Sequence, residues 1–251
     1  MRFKQKVVMV IGGASGIGRE CCRLFAREGA IIVVADINKP LIDSLVDELI
    51  ASGTIVEGFW IDLTDTERLI HIFSQIEQTK GGVDILVNAA STLLLKTIEH
   101  TSLEEWQKII AINATGTFLA CKLAIKCMKK RKGGSIINFS SSTGAYDAGK
   151  SAVAYIASKG CVTMLTKALA VDHAQDKIRI NAVAPGPTDT PMLRSLMNDE
   201  AIEAFGQTLP IKRMGTPSEI AQTVLFLASE EASFVTGAIL AVDGGQTADI
   251  S

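Results

Sequence analysis

The sequence predicts an α/β domain in which a parallel sheet is covered by helices on both faces. Short runs rich in β-branched residues recur along the chain, and longer segments between them place apolar residues three and four positions apart. Strands and helices that alternate in this way form parallel sheets joined by right-handed crossovers. No proline-rich or low-complexity linker interrupts the alternation. We therefore expect a single doubly wound domain over residues 1–251.

The β-branched runs predict seven buried strands, at residues 7–11, 31–35, 56–61, 83–88, 135–139, 178–183 and 239–242. The helical spacing predicts six helices, at residues 18–28, 40–51, 66–78, 103–130, 151–174 and 217–228. Residues 187–215 contain three prolines and Gly206, so they cannot form one long helix. We expect a substrate lobe there, because doubly wound sheets bind ligands beyond the carboxyl ends of their strands.

The composition restricts the class of protein. Hydrophobic residues make up 47% of the chain, charged residues 21%, and the net charge is -2, so we expect no nucleic-acid partner. We expect no secretory signal and no apolar stretch of membrane-spanning length. Five cysteines without a CxxC pair favour the reducing cytoplasm. Three scattered histidines lack metal-ligand spacing, so we predict no catalytic metal.

A glycine-rich turn follows the first predicted strand. Gly12, Gly16 and Gly18 have the spacing G-x-x-x-G-x-G, and the turn leads into a helix whose start can bind a pyrophosphate. Asp36 ends the second strand, where an acid accepts hydrogen bonds from the adenosine ribose and repels a 2′-phosphate. The sequence therefore predicts a Rossmann-type site that prefers NAD to NADP. Lys39 lies close enough to tolerate a phosphate, so NADP stays open.

A second pattern concerns proton transfer. Tyr155 and Lys159 are four residues apart on a predicted helix, so the phenol and the ammonium share one face. A nearby cation favours the phenolate and lowers the pKa of a tyrosine toward the range in which it exchanges protons with an alcohol. We therefore expect Tyr155 to act as a general acid or base.

The glycine turn, the serines at 140–142 and the Tyr155/Lys159 pair together resemble the short-chain dehydrogenase/reductase family. The likeness covers nearly the whole chain, and its further landmarks are Asp62-Leu63, Asn88-Ala89-Ala90, Asn113, Pro185-Gly186 and Asp243-Gly244-Gly245. The resemblance implies hydride transfer between NAD(H) and a secondary alcohol or ketone. It also implies a homotetramer.

The resemblance gives each matching residue a role. The implied catalytic residues are Asn113, Ser141, Tyr155 and Lys159, with Ser142 as the alternative to Ser141. Asn113 would hold a water that relays protons to Lys159, and Ser141 would polarise the substrate oxygen. The implied cofactor-binding residues are Gly12, Ser15, Gly16, Ile17, Gly18, Asp36, Ile37, Asp62, Leu63, Asn88, Ala89, Ala90, Tyr155, Lys159, Pro185, Gly186, Thr188 and Thr190.

Two residues depart from the family pattern. Ile11 stands where a threonine usually ties the glycine turn to the next strand loop, so that hydrogen bond is in doubt. Ser91 stands where glycine is usual and narrows the space beside the nicotinamide. Two other functions stay open: an NADP-dependent 3-oxoacyl-thioester reductase, and a non-catalytic NAD-binding sensor or scaffold. Diols, sugars, cyclic alcohols and steroids all remain candidate substrates, with small polar alcohols favoured.

Overall fold

Seven parallel strands form one sheet in the computed structural model, which describes residues 1–249. The strands are β1 Val7–Ile11, β2 Ile31–Asp36, β3 Val56–Trp60, β4 Ile85–Asn88, β5 Gly134–Phe139, β6 Ile178–Pro185 and β7 Ile239–Val242. The helices are α1 Gly16–Arg27, α2 Lys39–Ala51, α3 Thr66–Lys80, α4 Leu103–Ile110, α5 Thr117–Arg131, α6 Ser142–Ala145, α7 Val153–His173, α8 Pro191–Arg194, α9 Asp199–Thr208 and α10 Pro217–Ala228. The predicted fold class is confirmed.

Both faces of the sheet are buried, which explains the continuous β-branched runs. Successive side chains of β1 enter opposite layers: Val8 and Val10 join one core, whereas Val7, Met9 and Ile11 join the other. Helices α1, α2 and α10 cover the first layer, and α3, α5 and α7 cover the second.

The strand order is β3-β2-β1-β4-β5-β6-β7, so the chain direction across the sheet reverses between β1 and β4. Ile11 at the end of β1 pairs in register with Asn88 at the end of β4. A doubly wound sheet binds its ligand in the crevice beyond this reversal. The topology thus fixes where the loops after β1 and β4 meet.

The helix predicted over residues 103–130 is not continuous. Its α-helical pattern stops at Ile110, and a π-helical segment over Ala111–Gly116 leads into α5. A π-helical turn inserts one residue into the i→i+4 ladder, and such turns occur often at functional sites. Periodicity alone did not reveal it, because the helical spacing of apolar residues continues on both sides.

The combined helix Leu103–Arg131 contradicts the expectation that no segment reaches membrane-spanning length. It has 29 residues and a mean hydropathy of 1.4 over its most apolar window. Half of that window is buried inside the protein, and the core helices of soluble proteins have the same properties. Length and composition here reflect packing against the sheet.

A buried ion pair closes the edge of the sheet opposite the ligand crevice. Asp84 precedes β4 and is 8% exposed. Its carboxylate accepts hydrogen bonds from the Val7 amide at 2.8 Å and from Arg131 Nε and Nη2 at 2.7 and 2.8 Å. The Asp84 amide also donates to the Val7 carbonyl at 2.9 Å, and β4 begins at Ile85 rather than at the predicted residue 83.

Replacing Arg131 should destabilise the fold. Arg131→Gln leaves the Asp84 carboxylate buried beside an uncharged partner, and we expect the free energy of unfolding to fall by about 3 kcal/mol. Urea denaturation of the two proteins measures the difference. Lys130→Gln is the matched control, because it removes the neighbouring cation from a pair with Glu77 at the surface and should change stability little. Equal stability of the two variants would contradict this role for Asp84.

Candidate active site

A cavity of about 800 Å³ lies beyond the carboxyl ends of the central strands. It brings together all the predicted catalytic and cofactor-binding residues except Asn88 and Asn113. Residues from opposite ends of the chain, such as Gly12 and Thr190, therefore face one space. Within residues 1–249, no group of three or more His, Cys, Asp or Glu residues is arranged to hold a metal ion.

The glycine turn comes closer to its neighbours than any side chain would allow. Gly12 has φ +76°, and a Cβ atom there would lie 2.4 Å from the Ala90 amide nitrogen. A Cβ atom at Gly18 would lie 2.0 Å from the carbonyl oxygen of Gly12. The N-cap residue of α1, Ser15, makes no side-chain capping bond, so the first amides of α1 are left for an anion at the cavity.

Backbone hydrogen bonds tie the glycine turn down without the missing threonine. The Gly12 amide donates to the Ala35 carbonyl at 2.7 Å, and the Ala14 amide donates to Asp36 Oδ2 at 3.0 Å. The Ile11 side chain is buried in the core, and its carbonyl accepts from the Ala89 amide at 2.9 Å. The turn is therefore held between β2 and β4 by other groups.

Two carboxylates, Asp36 and Asp62, line the part of the cavity where the sequence predicts the adenosine. Asp36 does not cap α2: Asn38 does so by accepting from the Leu41 amide at 3.1 Å. The Asp62 carboxylate accepts from the Thr64 amide at 2.9 Å and from its hydroxyl at 2.8 Å, and these bonds lower the pKa of Asp62. Ile37 and Leu63 add apolar surface between the two acids.

Asn88 lies beneath the cavity rather than on its wall. Its Nδ2 donates to Asn138 Oδ1 at 2.8 Å, and Asn138 in turn donates to Thr166 Oγ1 at 2.9 Å. This buried chain of amides joins β4, β5 and α7 below the floor formed by Ala89 and Ala90. The side chain of Asn88 thus supports the floor.

Asn113, in the π-helical segment, clamps the loop after β4 onto α7. Its Oδ1 accepts from the Thr92 amide at 2.8 Å, and its Nδ2 donates to the Thr92 carbonyl at 2.9 Å and to Ser158 Oγ at 3.0 Å. Ser158 Oγ donates to the carbonyl of Tyr155 at 2.6 Å. Because the side-chain amide is fully used, a water held by Asn113 would bind its main-chain carbonyl, which also accepts from Thr117 Oγ1 at 2.8 Å.

The three serines after β5 have different partners. Ser140 Oγ is buried against Thr163 Oγ1 at 2.7 Å, and Ser142 Oγ donates to Gln246 Oε1 at 3.2 Å. The Ser141 hydroxyl instead lies beside the phenol of Tyr155, and both residues line the cavity. This arrangement favours Ser141 over Ser142 as the serine that contacts substrate.

Tyr155 and Lys159 share a helix face, but their electrostatics differ from the sequence-based expectation. Lys159 Nζ lies 5.5 Å from the centre of the Tyr155 ring and donates to the Phe139 carbonyl at 2.9 Å. The lysine is 2% exposed, and burial lowers its pKa to about 7. Burial also raises the pKa of Tyr155, which the Ser141 hydroxyl partly opposes. The expected lowering of the Tyr155 pKa by the lysine charge is therefore wrong, because desolvation acts on both groups.

The segment after β6 forms another part of the cavity wall. Gly186 packs so closely on the C-terminal turn that a Cβ atom there would lie 2.6 Å from the Cα of Asp243. Thr188 Oγ1 donates to the Gly186 carbonyl at 2.9 Å, and Thr190 Oγ1 caps α8 by accepting from the Leu193 amide. Both threonines line the cavity beside Pro185.

Residues 187–215 fold into α8 and α9 over the substrate end. Backbone bonds between Pro187 and Gly215 and between Asp189 and Gly215 close the base of this lobe. Its side chains Met192, Leu193 and Phe205 line the cavity.

Sequence reasoning missed Gln246 at the substrate end. Asp243 folds the C-terminal turn by accepting from the amides of Gly245 and Thr247 at 3.0 and 2.9 Å. The turn places Gln246 on the cavity wall. The turn residues were visible in the sequence, but nothing local indicated which site they approach.

Comparisons with known proteins agree with this geometry. Residues 12–247 match the family profile described as Enoyl-(Acyl carrier protein) reductase. The cyclopentanol dehydrogenase of Comamonas sp. is 42% identical over 99% of this chain and 99% of its own. The 3-oxoacyl-[acyl-carrier-protein] reductase of Thermotoga maritima is 38% identical over 98% of this chain and 99% of its own.

The chain belongs to the short-chain dehydrogenase/reductase family. The crystal structure of gox2181 is 34% identical, with a TM-score of 0.94 over 99% of this chain and 98% of that one. Relatives of this short-chain dehydrogenase/reductase are named as dehydrogenases and reductases, and the protein is an oxidoreductase of their kind.

The family uses NAD(P), and the residues of this short-chain dehydrogenase/reductase fit such a dinucleotide. The close approach at Gly12 and Gly18, the uncapped start of α1 and the carboxylate of Asp36 provide a pyrophosphate cradle and a ribose acceptor in the expected order. Lys39 pairs with Asp43 and does not line the cavity.

The buried lysine should give the protein a pH-dependent stability. The unfolded chain holds the Lys159 proton up to about pH 10.4, whereas the folded protein releases it near pH 7. Between these values the unfolded state binds more protons, so the free energy of unfolding should rise with pH by up to about 1.4 kcal/mol per unit. Lys159→Met has no buried amine and should lack this rise. We therefore expect the variant to be more stable than wild type near pH 7, and the difference in the free energy of unfolding to shrink as the pH increases.

Urea denaturation of both proteins across this window measures the effect. Lys4→Met, which replaces an exposed lysine, is the control and should follow the wild-type profile. A difference between Lys159→Met and wild type that stays constant with pH would exclude the lowered pKa.

Proposed function

We propose that this protein transfers a hydride between NAD(H) and a secondary alcohol or ketone, with Tyr155 as the general acid or base. The proposal is carried by one arrangement: Ser141, Tyr155 and Lys159 converge on the same cavity whose other end presents Asp36. A binding protein needs only the glycine turn and the acid. The converging hydroxyls and the buried amine favour a catalyst over a sensor or scaffold.

The mechanism follows from the positions of these groups. A bound nicotinamide supplies or accepts the hydride. The Tyr155 phenol gives its proton to a ketone oxygen during reduction, or removes the proton of an alcohol during oxidation. The Ser141 hydroxyl donates a hydrogen bond to the same oxygen and stabilises its negative charge. Lys159, whose pKa lies near 7, holds an exchangeable proton on the same helix face.

The remaining residues position these groups. Asn113 and Ser158 connect the loop after β4 to the carbonyl of Tyr155, so this part of the cavity wall is tied to helix α7. Thr188 and Thr190 face the nicotinamide end, where their main-chain and hydroxyl groups suit a carboxamide. Asp62 and Leu63 flank the adenine.

NAD is the proposed cofactor. The carboxylate of Asp36 lies on the cavity wall, where it accepts ribose hydroxyls and repels a 2′-phosphate. Lys39 is directed to Asp43 instead of the cavity, which removes the cation that could have tolerated a phosphate. The same acid argues against the NADP-dependent 3-oxoacyl-thioester reductase as the alternative, although a relative is so named.

We also propose a cytoplasmic homotetramer. All five cysteines are free thiols, in keeping with a reducing compartment. Helices α5 and α7 expose the apolar side chains of Phe118, Met164 and Val171, which suit burial between subunits.

Tyr155→Phe tests the chemistry. The variant should bind NADH like wild type, because only the hydroxyl is removed, but its turnover of ketones should fall by a factor of about a hundred or more. The measurement is NADH oxidation across a panel of cyclic, aliphatic and hydroxylated ketones, with NADH titrated separately by fluorescence.

Tyr146→Phe is the matched control, since Tyr146 is the other tyrosine of the chain. Its hydroxyl donates to the Ile239 carbonyl outside the cavity, so turnover should stay near wild type. Undiminished activity of Tyr155→Phe would refute the mechanism, and NADH binding without turnover of any ketone or alcohol would favour the sensor.

Asp36→Asn tests the cofactor choice. The amide keeps an acceptor for the Ala14 amide but removes the charge, so we expect weaker NADH binding and better use of NADPH. The ratio of kcat/KM for the two cofactors should shift toward NADPH by about tenfold or more. Asp36→Ala should shift the ratio in the same direction with a larger loss of NADH affinity. An unchanged ratio in both variants would rule out Asp36 as the selector.

A further inference from the structure

The substrate half of the cavity is apolar on one side. Its hydrophobic lining consists of Leu93 and Leu95 from the loop after β4 and Met192, Leu193 and Phe205 from the lobe. A hydrocarbon body would bury surface there. The loop after α6 and the C-terminal turn add polar side chains, which form what we call the polar side of the lining.

One cation on that polar side has no partner. Lys150 is exposed, lines the cavity mouth and makes no ion pair or hydrogen bond with any residue in the described range 1–249. Neighbouring cations are paired: Lys96 with Glu105, and Arg194 with Asp189 and Asp199. Among the described residues that line the cavity, the cations are Lys150 and the buried Lys159, so Lys150 is the exposed one that a ligand can engage without breaking a salt bridge.

The carboxylates of the cavity are at its far end. Among the lining residues within 1–249, the acids are Asp36 and Asp62, both at the adenosine end. Neither acid belongs to the substrate half, and Asp147 of the same loop forms no ion pair with Lys150. The ammonium of Lys150 therefore favours an anionic group on a ligand in this half.

Gln246 adds a neutral donor to this side. Its Oε1 accepts from Ser142 Oγ, which directs the amide and leaves the Nε2 hydrogens for another acceptor. Gln246 and Lys150 line the same cavity from two separate segments. An ammonium and an amide N–H₂ together match the oxygens of a carboxylate.

We infer that the substrate is a secondary alcohol or ketone with an apolar body and a carboxylate, which Lys150 binds with help from Gln246. This inference rests on the proposed alcohol/ketone activity and names its substrate class. Lys150 and Gln246 determine specificity here and take no part in the proton transfer, which stays with Tyr155. Neutral ketones of the same shape contact the apolar residues of the cavity but make no ion pair with Lys150.

The size of the effect is set by where Lys150 lies. An ion pair in open solvent changes an equilibrium about two- to fivefold, and an apolar wall that excludes water strengthens the pair. We expect a keto acid to exceed its methyl ester in kcat/KM by about tenfold.

The test compares keto acids with their own methyl esters. The probes are 4-oxopentanoate, 4-oxocyclohexanecarboxylate and 4-acetylbenzoate, each with its ester, assayed by NADH oxidation. The variants are Lys150→Gln and Lys150→Glu, and Lys4→Gln removes an equal charge from an exposed site away from the cavity as the control.

Wild type should prefer the acids, Lys150→Gln should lose the preference by raising KM for the acids alone, and Lys150→Glu should prefer the esters. Lys4→Gln should match wild type. Equal use of acids and esters by wild type, turnover of neutral ketones alone, or an unchanged preference in Lys150→Gln would each overturn the inference while leaving the ketone reductase intact. Turnover of no ketone or alcohol would instead remove the proposed function.

Discussion

The cavity depends on how closely the backbone of the glycine turn approaches the loop after β4. At Gly12 this separation leaves no room for a Cβ atom before the Ala90 amide, and at Gly18 the first turn of α1 lies directly on the Gly12 carbonyl. A side chain at either position would push the start of α1 away from the sheet. The width of the crevice, and with it the position of Asp36, which bonds the Ala14 amide, is therefore set by the absence of side chains.

A second constraint is the burial of an ionisable pair. Burial lowers the pKa of Lys159 to about 7, and its amine donates to the carbonyl of Phe139. Such burial opposes folding at neutral pH, and proteins retain groups of this kind where chemistry requires them. The fold offsets this cost with networks around the site: the Asn88–Asn138–Thr166 chain below the floor, and the Asn113 clamp on Thr92. The hydrogen bonds that hold the site rigid and the groups that react therefore lie in the same region.

Much of this arrangement could be predicted from the sequence, and the rest fails for identifiable reasons. The strands and the glycine turn follow from local patterns, since β-branched runs and G-x-x-x-G-x-G depend on neighbours in the chain. The π-helical segment around Asn113 was missed because apolar spacing does not register one inserted residue. The prediction that the pKa of Tyr155 is lowered was wrong, because desolvation depends on packing from distant segments. Lys150 and Gln246 carry no motif, and only the folded chain brings them to one cavity.

The C-terminal turn has a consequence for the order in which the protein matures. Ser142 bonds Gln246, which follows it by 104 residues, and Gly186 lies against Asp243. During synthesis the ribosome releases the glycine turn, the catalytic helix and the lobe long before residues 243–247 emerge. The nascent chain can therefore pair strands β1 to β6 and still have an unfinished cavity wall. The cavity wall is therefore complete only when residues 243–247 have joined segments that were synthesised much earlier.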